Sequence, residues 1–205
     1  MFGLIKRKDK NLSAEEIFWE WFISYKTIIE KFIDSDNRNY SIYDELTNRI
    51  RDYNKLLFPE LTKESEKYIL IITPDGIKEG IEPTRKLALA APDIENWIVK
   101  IFRQPTDEIT LNFDGLEYLS SDIEIFPTID NEREVIDIQV FIKNMNKDES
   151  KYQSLAFLYF DHILGEFNSM TKVGYIDFYN LEEGETVEDG ITLLELRNLI
   201  AQELY

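Results

Sequence analysis

Between Ile109 and Lys143 two stretches of the chain alternate apolar and polar residues with a period of two. Ile109, Leu111 and Phe113 alternate with Thr110 and Asn112, and Ile136, Ile138, Val140 and Ile142 face away from Asp137, Gln139 and Lys143. That period belongs to strands with one covered face and one wetted face. Asp114-Gly115 is a turn signal. Ile123 to Asp130 and Val135 to Lys143 are predicted to form a hairpin across Asn131 and Glu132. A run of strands with helical patterns before and after it predicts an α+β fold, with helices covering the sheet.

The flanking patterns are equally readable. Ser13 and Glu16 have the capping-box spacing and open a helix to about Ile33. Ile17, Trp21, Ile28 and Phe32 form its expected inner stripe, with Phe18, Phe22 and Ile29 beside it. Ser41 is expected to start a second helix, through about Leu56, with Leu46, Ile50 and Leu57 inward and Pro59 as its stop. Tyr68 to Thr73 is a β-branched run, hence a buried strand, and Pro74-Asp75-Gly76 turns the chain. A helix over Glu82 to Ala91 and a strand over Trp97 to Arg103 follow, a unit that suits parallel strands joined by a crossover. Lys151 to Phe167 reads as one helix, with Tyr152, Leu155, Ala156, Tyr159, Ile163 and Phe167 on one face. A strand over Val173 to Tyr179, an acidic loop and a helix over Leu193 to Leu204 complete the order ααβαββββαβα. The expectation is a mixed, mostly antiparallel sheet of five to six strands, in one domain over 13–205 behind a basic tail at 1–12.

Charge narrows the function. Asp and Glu number 40 against 23 Lys and Arg, a net of −17. The first ten residues sum to +3, so the remainder carries −20. Such a surface repels phosphate backbones, which disfavours nucleic acid and favours a basic protein or a divalent cation, the plainer alternative being a charge that only keeps the chain soluble. There is no cysteine, so disulfides, thiolate metal sites and cysteine nucleophiles are excluded. No apolar run approaches the roughly 20 residues of a bilayer span. Phe2, Leu4 and Ile5 beside Lys6, Arg7, Lys8 and Lys10 allow weak peripheral contact with anionic lipid, against the simpler reading of a frayed end.

The chain holds a single histidine. On an uninterrupted helix His162 and Glu166 lie four apart and share a face, and Asp177 on the next strand can join them. An imidazole with two carboxylates suits a divalent metal or a general base. The structural alternative is a hydrogen-bonded pair at a helix end that Gly165 loosens. No nucleotide-binding glycine loop and no Gly-x-Ser-x-Gly elbow is present, and no cofactor is predicted beyond that divalent metal. The acidic loop Glu182, Glu183, Glu185, Glu188 and Asp189 lacks calcium-loop spacing and reads as a solvated charge run. Among the tryptophans, Trp21 is expected in the core and Trp19 outside it, where it suits a contact surface; Trp97 opens a strand.

Several local motifs recur together: Phe18-Trp19-Glu20-Trp21-Phe22, Thr73-Pro74-Asp75-Gly76, Ala90-Ala91-Pro92 before Trp97 and Phe102-Arg103, and Leu164-Gly165-Glu166-Phe167 before Gly174-Tyr175-Ile176-Asp177. The set resembles a family of uncharacterised bacterial proteins. The resemblance implies a bacterial, cytoplasmic protein and no particular chemistry. The residues themselves favour a non-enzymatic acidic protein that engages a basic protein partner, an antitoxin-like inhibitor being one form. The alternative is a metal-assisted enzyme using His162, Glu166 and Asp177.

Overall fold

The computed structural model describes residues 12–36, 39–107, 110–113, 116–145 and 150–204. The basic tail lies outside this range, save for Leu12. The class is α+β, as the strand block predicts. The strands do not form one sheet of five or six. Among the described residues they fall into three sheets, in the orders β1-β2-β3, β4-β5 and β6-β7-β8. The chain divides into two compact units: residues up to Ile72 with Glu79–Lys100, and Thr73–Lys78 with Ile101 onward.

In the first unit, α1 (Ala14–Asp34) starts on the predicted Ser13–Glu16 capping box. Reciprocal side-chain bonds at 2.9 and 3.1 Å satisfy two free N–H groups of the first turn. The buried face of α1 is Phe18, Trp19, Phe22, Ile29 and Phe32. Ile17 and Ile28, expected inside, are 56% and 50% exposed, and Trp21 is only half-buried. Two apolar stripes lie side by side on this helix, and tertiary contact picks the second. Trp19 is 2% exposed, and its indole N–H donates to Leu87 O at 2.8 Å, so it is a core residue and not a contact surface.

Helix α2 (Ser41–Tyr53) buries Leu46 and Ile50 as expected. It ends three residues earlier than predicted, and Pro59 does not stop it. Pro59 belongs instead to β1 (Phe58–Glu64), a strand hidden in the sequence by its polar residues. Strand β2 (Lys67–Thr73) follows across Ser65-Glu66. Helix α3 (Ile81–Leu89) leads to β3 (Trp97–Ile101). Tyr68 N–H donates to Asn96 O at 2.9 Å, so β2 and β3 begin side by side, the arrangement of a parallel pair. Phe18, Trp19, Phe22, Leu46, Leu70, Leu87 and Trp97 meet in the core. Phe22 and Trp97 pack edge to face at 4.9 Å.

The second unit opens with the turn after β2 and resumes at Ile101. Strands β4 (Thr110–Phe113) and β5 (Leu116–Leu119) pair antiparallel, and the turn predicted at Asp114-Gly115 lies outside the described residues. Strands β6 (Ile123–Asp130) and β7 (Val135–Lys143) pair antiparallel, joined by the four residues 131–134. Strand β8 (Val173–Leu181) adds to β7 in parallel, with a register irregularity between Ile136 and Ile138. Ile136, Ile138, Val140 and Ile142 are all buried, as their period of two requires.

Their cover is not one helix over Lys151 to Phe167. Helix α4 (Ser150–Phe160) passes into a widened π turn over Asp161–Gly165 and resumes as α5 (Glu166–Lys172). Gly165 has φ +82°, a conformation glycine reaches without a steric penalty. A Cβ there would stand 3.0 Å from Pro105 Cδ. The break frees helix polar groups for the 103–107 segment: Thr106 N–H donates to His162 O at 2.7 Å, and Glu166 N–H donates to Arg103 O at 3.0 Å. Helix α6 (Leu193–Glu203) starts on a second capping box, Thr192 with Glu195, and buries Leu193, Leu196 and Ile200.

Candidate functional site

The π turn faces a cluster of charges gathered from distant stretches of the second unit. Thr73, Asp75 and Gly76 come from the turn after β2, Arg103 from the segment after β3, Asp161 from the π turn and Glu166 from the start of α5. Glu166 is fully buried. One of its oxygens accepts from Thr73 Oγ1 at 2.5 Å and from Gly76 N–H at 3.0 Å, and the other from Arg103 N–H at 3.0 Å. Three donors satisfy a carboxylate that burial would otherwise make costly. The Thr73 hydroxyl also accepts from Asp75 N–H at 2.9 Å, which fixes the turn. Glu166 therefore acts as a staple between three chain segments.

Arg103 is the cationic counterpart. Its guanidinium donates to Asp161 at 2.9 Å and to Asp75 at 2.8 Å, and its side chain is only 10% exposed. Asp161 is pushed up to about 6, chiefly by burial and then by the nearby charge of Glu166. Arg103 and Ser169 pull it back only in part. Glu166 and Asp161 thus both bond Arg103, Glu166 through the backbone N–H and Asp161 through the guanidinium, and differ in their other partners. Glu166 is enclosed by donors; Asp161 opens onto a cavity.

That cavity measures about 500 Å³. Phe157, Met170 and Ile176 supply apolar wall, while Asp75, Lys78 and Asp161 supply charge. A volume of this size takes a small molecule or a side chain of a bound partner. Its lining is drawn from the 75–78 segment, α4, the π turn, α5 and β8.

The residues singled out in the sequence are dispersed. Glu166 lies inside the cluster. His162 is half-buried in the π turn, where the widening and the break at Gly165 replace the regular four-residue spacing. Asp177 is exposed on β8, beside Gln139 of β7, and lines a separate hollow of about 300 Å³ with Asp137 and Tyr175. Among the described residues no group of three His, Asp or Glu could hold a metal ion. The acidic loop is pinned at both ends: Asn180 bonds Glu182 at 2.7 Å, and Val187 N–H donates to Glu124 at 2.8 Å. Sequence reasoning missed Arg103, Asp161 and Thr73. Their contacts across the cluster span 28 to 93 residues, so no local spacing announces them.

The chain matches no family model, no curated protein and no solved structure. The site is therefore read from its own chemistry. One further property bears on it. The first unit holds 17 acidic and 15 basic residues, a net of −2, whereas the second holds 23 and 8, a net of −15. Nearly all the excess charge lies in the unit that carries the cavity.

Proposed function

We propose that the chain is a binding protein whose second unit engages a basic protein partner, an antitoxin-like inhibitor being one form of such a protein. The observation that carries this reading is the division of charge, −15 against −2. A charge that only kept the chain soluble has no reason to concentrate in one unit. A concentrated field steers a cationic partner and raises its rate of encounter. The cavity beside Asp161 gives the same unit an apolar recess in which a partner's side chain can anchor. No helix among the described residues is long and apolar enough to cross a membrane. On this reading the encounter takes place in the cytoplasm of a bacterium.

The test is affinity capture from bacterial lysate with the full chain, at low and at physiological salt. A variant with Glu182, Glu183, Glu185 and Glu188 all changed to Gln runs beside it. The expected result is a stoichiometric basic protein whose capture weakens at the higher salt and weakens again with the variant. Capture of acidic proteins only, or a basic protein held equally under all conditions, overturns the reading.

A further inference from the structure

The third sheet has two edges, and they are treated differently. On the β6 side, Ile125 and Ile191 exchange backbone hydrogen bonds at 2.8 Å in both directions, and Val187 N–H is tied to Glu124. The 187–191 segment thus blocks that edge. β6 also carries Pro127, which has no N–H to offer a further strand. In the first unit, edge strand β1 contains Pro59 and Lys63, residues that discourage pairing. On the far side of β8, among the described residues, no strand is paired. Its nine residues, Val-Gly-Tyr-Ile-Asp-Phe-Tyr-Asn-Leu, include neither proline nor lysine. An edge strand leaves alternate N–H and C=O groups directed outward.

The side chains along this edge are half-finished as a core. Ile176 and Phe178 pack on the second unit's core but remain partly exposed, and Phe157 of α4 is 45% exposed beside them. The 500 Å³ cavity opens between β8, α4 and α5, with Val173 and Ile176 in its lining. Charge near the edge is acidic. Asp177 is exposed on the opposite face of β8, Glu182 and Glu183 follow directly after the strand, and Asp75 stands at the cavity. The neighbouring base, Arg133, is already bonded to Asp130 and Asp137. Lys78 is the cationic member of the cavity lining.

We propose that β8 accepts an extended, basic segment of a partner protein as an added strand, one apolar side chain of which enters the cavity beside Asp161. The proposal rests on the basic-partner reading and names how that partner is held. Backbone bonding along β8 supplies affinity, and the period-two side chains supply selection. Apolar residues of the incoming strand meet Phe157 and Ile176, and its cations meet the acidic flank.

The test uses the full chain and a nine-residue peptide of alternating lysine and valine, with free amides along its length. Two further peptides are N-methylated, one at every valine and one at every lysine. Charge is identical in all three, but each methylated peptide loses the donors along one edge. An added strand bonds through one edge only. Titration at low salt should therefore show binding by the parent, a loss of at least tenfold for one methylated peptide, and a change under threefold for the other. Amide exchange should slow at Ile176 and Phe178, which alternate with positions bonded toward β7, when the parent binds. If both methylated peptides bind like the parent, charge alone holds the segment; the strand-addition proposal falls and the basic-partner reading stands. Equal losses for both likewise overturn the strand. If no basic peptide binds even at low salt, the strand-addition proposal and the reading beneath it both fall.

Discussion

The first unit's core carries a cluster of interlocked aromatic rings among its aliphatics, whereas the second unit's core is mainly aliphatic around Tyr159 and Phe160, and that unit also buries two carboxyl groups. In the first, Phe18, Trp19, Phe22 and Trp97 interlock, and the indole N–H groups of Trp19 and Trp97 each find an acceptor, Leu87 O and Glu30. Among the described residues both buried acids, Asp161 and Glu166, belong to the second unit. That unit also carries the larger net charge and the cavity. A core made of rings needs only volume and a few acceptors. A core holding carboxyl groups needs donors from distant segments, and its stability then depends on their protonation.

The difference can be broken at Arg103. An Arg103→Leu variant leaves Asp161 and Asp75 without their shared cation, and should destabilise the second unit by about 4 kcal/mol at pH 7. At pH 5 the loss should shrink, because Asp161 near 6 then takes up a proton. Amide exchange across β7 would record it. All three tryptophans lie in the first unit, so indole fluorescence should report the first unit by comparison. Glu166→Ala, which strands three donors, should cost a similar amount.

Asp161→Asn sharpens the same contrast. The folded protein holds the Asp161 proton up to about 6, while the unfolded chain releases it near 3.8. From pH 4 to 6 the folded state therefore binds more protons, and stability falls as pH rises; above that window the penalty is constant. Between pH 4.5 and 7 the wild type should lose about 2 kcal/mol more than the Asn variant in urea unfolding. Equal pH profiles would remove Asp161 from the account. In the first unit, Trp19→Phe deletes the bond to Leu87 O and should cost about 1 kcal/mol with no such pH dependence.

Much of the fold is legible in the sequence because it is local. The period of two in β7 and the capping box of α1 are written in consecutive residues, and both appear as expected. Other features depend on distant partners. On α1 the stripe through Ile17 and Ile28 is as apolar as the one through Phe18 and Phe22, and only the surroundings of Trp19 decide between them. β1 reads as polar because most of its residues are not fully buried. Gly165 announces a weak point in the helix, but the π turn depends on Pro105 and Thr106. The site was legible only at Glu166, whose inward position demanded a partner; the donors that satisfy it lie 63 to 93 residues away.

The smallest effect expected on folding belongs to the surface acids. Glu182, Glu183, Glu185 and Glu188 changed together to Gln should alter stability by no more than about 0.5 kcal/mol per site. Their effect on binding decides the central claim that recognition resides in the second unit. The direct measurement is the affinity of the captured basic partner for three forms of the chain at low salt: wild type, this second-unit variant, and a first-unit variant with Glu20, Glu66, Glu79 and Glu95 changed to Gln. The account predicts a loss of at least tenfold for the second-unit variant and less than twofold for the first. Equal losses, or a larger loss from the first unit, would contradict it.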